Sequence, residues 1–501
     1  MSKVFERVQN LRPGKSVFNL SYEKKFNCDM GQLIPTMCDE VVPGDVFQIG
    51  NEIVIRLQPL VAPVLHEINA YVHYFFVPNR ILFDGWEDFI TGGIDGEDST
   101  MLPTWVVNGA ENDNGLYSLW DYFGLPIGVV PTGRFPLDFP KRAYNLIFNE
   151  YYRDETLIPE VNIETSECVL IRCWEKDYFG SALPWQQRGI APALPISGMI
   201  PLDFSDSVGG TGGDVASLRV NVDNTKSLLY TNAGTHNTRV DEALSKGVGD
   251  ISGATTFNVA DLRLAFQIQK WMERNARSGA RYKESLMAHF GEAPRDERLQ
   301  RPEYIGGSKS SVIISEVLQT SQTEATGTPQ GTLAGHGITA DRKFIAKYRA
   351  KEHGWIIGIM SIMPRAAYQQ GIDKQWLRET KYDYYFPEFA NLSEQAIERV
   401  EIYASAVENE NKTIFGYQGR YDEMRVKRSM VCGDMRDLFS YWHLGRIFES
   451  APELNESFLR CVPDKRIFAV QDEPGFIVNV ANIIKAVRPM PIQASPGLID
   501  H

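Results

Sequence analysis

Residues 67–80, EINAYVHYFFVPNR, constrain the fold more than any other stretch of the chain. In an extended backbone Tyr71, His73, Phe75 and Val77 share one face, and Val72, Tyr74 and Phe76 share the other. Both faces are apolar, so this strand is expected to be covered on both sides, by a core on one and by further protein on the other. His73 then reads as a packed strand residue. The runs SVFNLSYEKKF, EVVPGDVFQI and EIVIRLQPL precede it, and the PGD at 43–45 is a turn because Pro43 presets φ and Gly44 accepts a positive one. Further strand-like runs, GWIIGIMSIMP, ERVEIYASAV and FIVNVANIIKAVRP, lie far downstream. Short strands joined by long excursions predict an all-β core with insertions, not a doubly wound α/β fold.

Helical periodicity is sparse. NRILFDGWEDFITGG reads as a short helical turn, with Trp86 and Phe89 three apart, closed by Gly92 and Gly93. LDFPKRAYNLIFNEYYRD places Tyr144, Ile147, Phe148 and Tyr151 on one side, a stripe read as core. NVADLRLAFQIQKWMERNARSG opens at Asn258 as N-cap, groups Leu262, Ala265, Phe266 and Met272 near one face, and stops at Gly279. Its Lys270 and Arg274 share a side, read as a solvated or salt-bridged face.

Length and charge narrow the function. A chain of 501 residues permits several domains or one large β core with long loops. With a net charge of −13, the chain as a whole repels phosphate, so any nucleic-acid contact must be local or delegated to a basic partner. A local basic surplus exists at Lys3, Arg7, Arg12, Lys15, Lys24 and Lys25, against only Glu6 and Glu23 through residue 25, read most simply as a solvated N-terminal arm. Six scattered cysteines suggest a reducing compartment; Cys168 and Cys173, in a strand-like ECVLIRCW, would fall on opposite faces. The first sixteen residues have no apolar core of a secretory leader, and no apolar run of membrane-spanning length occurs, so neither export by that route nor membrane insertion is expected.

Two segments are polar and poor in apolar residues. Ser205 to Thr256 holds eight Gly, thirteen Ser or Thr and one Phe, Tyr or Trp, Tyr230, too little apolar surface for a core of its own. Strand-like SLRVNV and SLLYT favour an ordered projecting loop there. Arg301 to Gly331 is rich in Gly, Ser and Thr and shows no helical period.

Catalytic patterns are missing. The eight histidines form no HExxH and no i, i+4 pair, and neither GxSxG nor a P-loop occurs. His353 in KEHGWIIGI is the best single functional histidine, and a strand-entry residue satisfied by backbone is the simpler account of it. The loops offer contact area instead: TKYDYYFPEF, FGYQGRYDEMR and YWHLGRIF concentrate Tyr, Trp, Phe, Met and Arg, the residue types that dominate interface cores.

Ten segments in order, SYEKKFNCDMGQLIPTMCDEVVPGDVF, FFVPNRILFDGWEDF, RLQRPEYIGG, TPQG, KEHGWIIGI, YQQG, DYYFPEF, EIYA, FGYQGRYDEMR and RPMPIQASPGLIDH, resemble the major capsid proteins of gokushovirus-type Microviridae, small single-stranded DNA bacteriophages. The resemblance implies one domain over 1–501, mainly β, an eight-stranded antiparallel jelly roll with long loop insertions and a few helices. It implies a structural, non-enzymatic protein without cofactor or metal, assembled in the bacterial host cytoplasm as sixty copies in a T=1 icosahedral shell around circular single-stranded DNA. Residues 205–256 fall where the family carries a variable surface insertion that protrudes at the threefold axes, which makes Leu229, Tyr230, Thr231 and Asn232 host-attachment candidates. Lys3, Arg7, Arg12 and Lys15 are candidates for DNA or interior contact; Tyr304, Tyr382, Tyr384, Tyr385 and Phe386 for contact between subunits. Residues 301–331 are expected as a long interstrand loop packed on a neighbour. Implied partners are a small basic DNA-binding protein, pilot or minor capsid and scaffolding proteins, and a bacterial surface receptor. A jelly-roll lectin or glycosidase, and a phage spike that does not close into a shell, are the competing readings.

Overall fold

A computed structural model describes residues 14–94, 98–107, 114–129, 133–191, 259–278, 281–291, 295–318 and 333–492. The chain divides into two compact units, residues 189–272 and the remainder.

The larger unit is built on two antiparallel sheets. Its strands are β1 (Ser16–Asn19), β2 (Tyr22–Cys28), β3 (Ile34–Val41), β4 (Val46–Leu57), β5 (Ile68–Pro78), β6 (Glu303–Ser311), β7 (Ile313–Leu318), β8 (Leu333–Arg349), β9 (Gly354–Pro364), β10 (Ala367–Tyr368), β11 (Glu394–Glu398), β12 (Ile414–Gly419), β13 (Ser429–Met430) and β14 (Phe476–Arg488). One sheet runs β1-β14-β4-β8-β7, with β2 also on β14; the other runs β3-β9-β5-β6. With β1 and β2 counted as one interrupted strand and β7 as an extension, successive strands pass between the sheets in an order consistent with a jelly roll.

Alternation decides which side chains meet. From β4, Phe47, Ile49, Ile53 and Ile55 point inward, and from β14 so do Val478, Val480 and Ile484. They join Val72, Tyr74 and Phe76 of β5 and Ile356, Met360 and Ile362 of β9 in one cluster between the sheets. The opposite face of β5 and β9 is also covered, as the two-faced strand demanded. There Phe75, Val77, Ile357 and Ile359 pack against Trp105, Trp120 and the helix at Phe139–Ile147. The α-helices among the described residues, in chain order, are α1 (Asn79–Leu82), α2 (Trp86–Thr91), α3 (Leu119–Tyr122), α4 (Phe139–Ile147), α5 (Val259–Ser278), α6 (Tyr282–Phe290), α7 (Glu408–Asn411), α8 (Asp422–Arg425) and α9 (Glu456–Leu459). Tyr144 of α4 ties this layer to the sheet, donating its hydroxyl to the Leu33 carbonyl (2.8 Å) and accepting from the Leu170 amide (2.9 Å).

Turn chemistry holds where it was expected. Gly44 takes φ +93°, and buried Asp45 accepts from the Val42 amide at 3.1 Å while facing Arg488 at 3.4 Å. Gly92 closes α2 in the left-handed region.

Four expectations are corrected. Residues 303–318 are strands β6 and β7, not a loop; residues 319–331 lie outside the described residues. A glycine-rich strand is possible because β6 pairs along β5 and Gly307 sits where a Cβ would come within 2.8 Å of the Val72 carbonyl oxygen. ECVLIRCW makes only isolated bridges, Gln32 to Ile171 and Cys173 to Arg460. ERVEIYASAV is not a strand: β11 ends at Glu398, whose amide is captured by the Glu401 carboxylate (3.0 Å), turning the chain into a 3-10 helix over Arg399–Glu401. On α5, Leu262, Ala265 and Met272 are half-buried as grouped, but Phe266 is exposed. Asn258, Gly279 and all of residues 205–256 lie outside the described residues.

Candidate functional site

Residues 378–389 hold the most concentrated exposed aromatic surface. Tyr382, Tyr384, Tyr385 and Phe386 are 46–56% exposed, Tyr382 within the 3-10 turn Lys381–Asp383 and the other three between it and a second turn, Pro387–Phe389. The Asp383 carboxylate accepts from the Thr380 hydroxyl (2.9 Å) and amide (2.6 Å), which fixes the first turn. The backbone is clamped from beneath: Tyr421 donates to the Tyr384 carbonyl (3.0 Å) and Arg420 to that of Tyr382 (2.9 Å). Below these, Arg378 donates to Glu423 at 3.0 Å, both side chains buried, and Gln395 completes the Glu423 carboxylate at 2.6 Å. The rings support one another edge to face, Tyr385 on Tyr421 at 5.2 Å and Phe386 on Phe389 at 6.1 Å. An exposed apolar loop held this firmly is ordered before any partner arrives, which lowers the entropic cost of docking.

Tyr304 lies elsewhere. It stands on β6 with His73, Phe75 and Tyr151, at ring distances of 5.5–6.5 Å, and lines an open cleft of ≈ 1350 Å³. His73 holds the Tyr152 hydroxyl at 2.8 Å, and burial, helped by the nearby Arg172 charge, lowers its pKa to about 4. It is therefore neutral at pH 7. Arg172 stacks over the Tyr71 ring at 4.6 Å. The cleft carboxylates Glu155 and Glu284 converge on Arg281, at 2.8 and 3.4 Å. Two carboxylates sharing one guanidinium form an ion-pair network here. Among the described residues no group of three or more His, Cys, Asp or Glu is placed to hold a metal ion. His353 sits edge-on to Trp86 at 5.7 Å, and its carbonyl accepts from the Asn79 amide.

The structure thus brings together four of the five contact candidates and sets Tyr304 apart. Of the basic candidates, Lys15 is spent on the turn, donating to the Gly44 carbonyl at 2.5 Å. Lys3, Arg7, Arg12 and Leu229 to Asn232 lie outside the described residues. Reading the sequence missed the clamp, Arg378, Glu423 and Gln395, because its partners are 28 to 45 residues apart and only the fold brings them together. It also missed the basic outer face of the larger sheet: DRKFIAKYR shows four cations in nine residues, but only the bulge opposite Ile49 and Gly50 brings Arg342 onto the face of Lys347 and Arg349.

No helix among the described residues is long and apolar enough to cross a membrane. The phage capsid protein (F protein) family model matches residues 7–498. The chain is 34% identical to capsid protein VP1 of Chlamydia phage 1, over 99% of this chain and 98% of that protein. It is 33% identical to capsid protein VP1 of Bdellovibrio phage phiMH2K, over 98% and 97%, and 29% identical to that of Spiroplasma virus 4, over 94% and 93%. A mainly antiparallel β framework and a match along nearly the whole sequence lead to one conclusion: the chain belongs to the phage capsid protein (F protein) family, as a gokushovirus-type structural, non-enzymatic subunit of a virion shell made of copies of itself.

Proposed function

We propose that sixty copies close into a T=1 icosahedral shell enclosing circular single-stranded DNA. The observation that carries this reading is the clamped aromatic loop at 378–389: a monomer gains nothing from exposing four rings on a rigid support, whereas a repeated contact between copies does. Tyr382, Tyr384, Tyr385 and Phe386 serve that contact in this reading, and Tyr304 serves a separate one.

The net charge of −13 supports a division of labour in which a small basic protein neutralises the genome while this chain forms the wall. Residues 205–256 are assigned to a surface insertion at the threefold axes that meets the bacterial receptor, with Leu229 to Asn232 as its attachment candidates. The support for that assignment is compositional: a polar, apolar-poor segment inserted between regular elements. Pilot and scaffolding proteins complete the set of partners. Residues 1–501 act as one capsid domain carrying this insertion.

Sedimentation and negative-stain imaging of particles from infected cells test the reading. Closed shells whose protein mass is roughly 3.4 MDa, sixty times the 56.6 kDa chain, are expected. A chain recovered only as monomer or trimer, with no shell containing it, overturns it.

A further inference from the structure

The outward face of the sheet β1-β14-β4-β8 carries a surface that the aromatic loop does not explain. Register fixes its layout. Lys347, Gln48 and Lys485 lie in one row across β8, β4 and β14, and Phe344, Gly50 and Ile483 lie in the next. Arg349 and Arg342 flank these rows on β8, and Arg56 stands farther along β4. All five cations are exposed, and none has a hydrogen-bonded or ion-paired side-chain partner among the described residues. The carboxylates of this face are Glu52, opposite Arg342, and Glu23, which is already held by Lys25 at 2.6 Å.

In a chain of net charge −13, five unpaired cations on one sheet face form a local reversal of sign. Buried or half-buried cations such as Arg281 and Arg378 are, by contrast, each matched by a carboxylate. The centre of the face is also shaped. Gly50 contributes no side chain, which leaves a trough of ≈ 600 Å³ bordered by Arg342, Ile483, Lys485 and the ring of Phe344. Phe344 is 71% exposed, an apolar ring standing among cations.

We propose that this face binds single-stranded nucleic acid, with a base stacked on Phe344 over the Gly50 trough and adjacent phosphates on Arg342, Lys347 and Lys485. Aromatic rings beside a basic track are the general means of holding unpaired strands without reading sequence, since every base has a flat face and every nucleotide a phosphate. A duplex would meet the cations but leave the ring unused. An acidic protein would likewise meet the cations without needing the trough. The proposal rests on the reading that the shell holds single-stranded DNA, and it makes this sheet face the lining of the lumen. It also moves the interior contact from the basic N-terminal residues to the sheet, with Lys15 engaged at the Gly44 turn beside it.

Fluorescence anisotropy of a labelled oligothymidylate of about twenty nucleotides, titrated with the full chain over a range of salt, tests it. Phe344→Ala is expected to weaken binding roughly 5- to 150-fold. The pair Arg342→Ala and Lys347→Ala is expected to lower the slope of log affinity against log salt by about 1.4. Lys412→Ala, which removes a cation paired with Glu408 at 2.7 Å away from this face, is expected to change neither. Urea midpoints of the variants check that each is folded. Unchanged affinity in Phe344→Ala together with an unchanged slope in the double variant overturns the proposal. Equal affinity for duplex, or full competition by polyglutamate with Phe344→Ala neutral, overturns it in favour of a duplex or an acidic protein. Shell formation is scored separately by sedimentation: shells with oligonucleotide binding insensitive to these variants leave the assembly reading standing and remove this one. Sensitive binding without shells does the reverse.

Discussion

Arg378 and Glu423 show how much one buried pair can carry. Both side chains are nearly inaccessible, and Arg378 also donates to the Asp383 carbonyl, so the guanidinium joins the aromatic loop to the layer beneath it. Arg378→Ala leaves Glu423 a buried charge with Gln395 alone; a loss of about 3–5 kcal/mol is expected, read as a lower urea midpoint. Asp39 and His73 act on stability through pH with opposite signs. Burial lifts the Asp39 pKa from 3.8 to about 6, so the folded state holds a proton there that the unfolded state releases. Its contribution is fully present below about 4 and is lost as pH rises to about 6. His73, lowered from 6.5 to about 4, favours the folded state above about 6.5, and that contribution is lost as pH falls towards 4. Asp39→Asn is expected to raise stability at pH 7 by about 1–3 kcal/mol and to flatten one slope, leaving the His73 slope exposed in urea midpoints taken from pH 4 to 7.

At the scale of elements, β6 is the informative case. Its sequence, EYIGGSKSS, has poor intrinsic strand propensity, yet it pairs with β5 from Phe76↔Glu303 to Asn69↔Ser311. Small residues are required there because β5 presents His73 and the Val72 carbonyl at close range, 2.6 and 2.8 Å from a Cβ placed on Gly307. Gly307→Val is expected to cost about 1–3 kcal/mol by overpacking and to disturb the Tyr304 and His73 ring contacts, which near-ultraviolet circular dichroism together with the urea midpoint would register. Propensity failed on this strand because pairing and steric fit to a neighbour, both long-range, outweighed it.

At the scale of the molecule, folding and assembly separate. The sheets have their own core between them, and the aromatic loop lies on the surface of the folded chain. Replacing Tyr384, Tyr385 and Phe386 together by Ala is therefore expected to leave the urea midpoint within about 1 kcal/mol of the parent. Shell formation is expected to fall by tenfold or more, because truncating well-packed aromatic anchors costs an interface about 2 kcal/mol or more each. Sedimentation would show the shift from shell to free subunit.

The order of apolar and polar residues by itself determined the β class, the two-faced strand at 68–78, the Pro43-Gly44-Asp45 turn, the α4 stripe and the placement of contact-rich aromatics in loops. These are local properties: alternation and helical periods follow from backbone geometry, and turns from φ preferences. The family was legible too, because ten short segments kept their order along the chain. Only the tertiary structure decided that β6 is a strand, that ERVEIYASAV turns at Glu401, that Tyr304 stands apart from Tyr382 to Phe386, and that Arg56, Arg342, Lys347, Arg349 and Lys485 share one face. Each depends on which distant segment lies alongside, and pairing across hundreds of residues is fixed by burial and register, which no window of sequence contains.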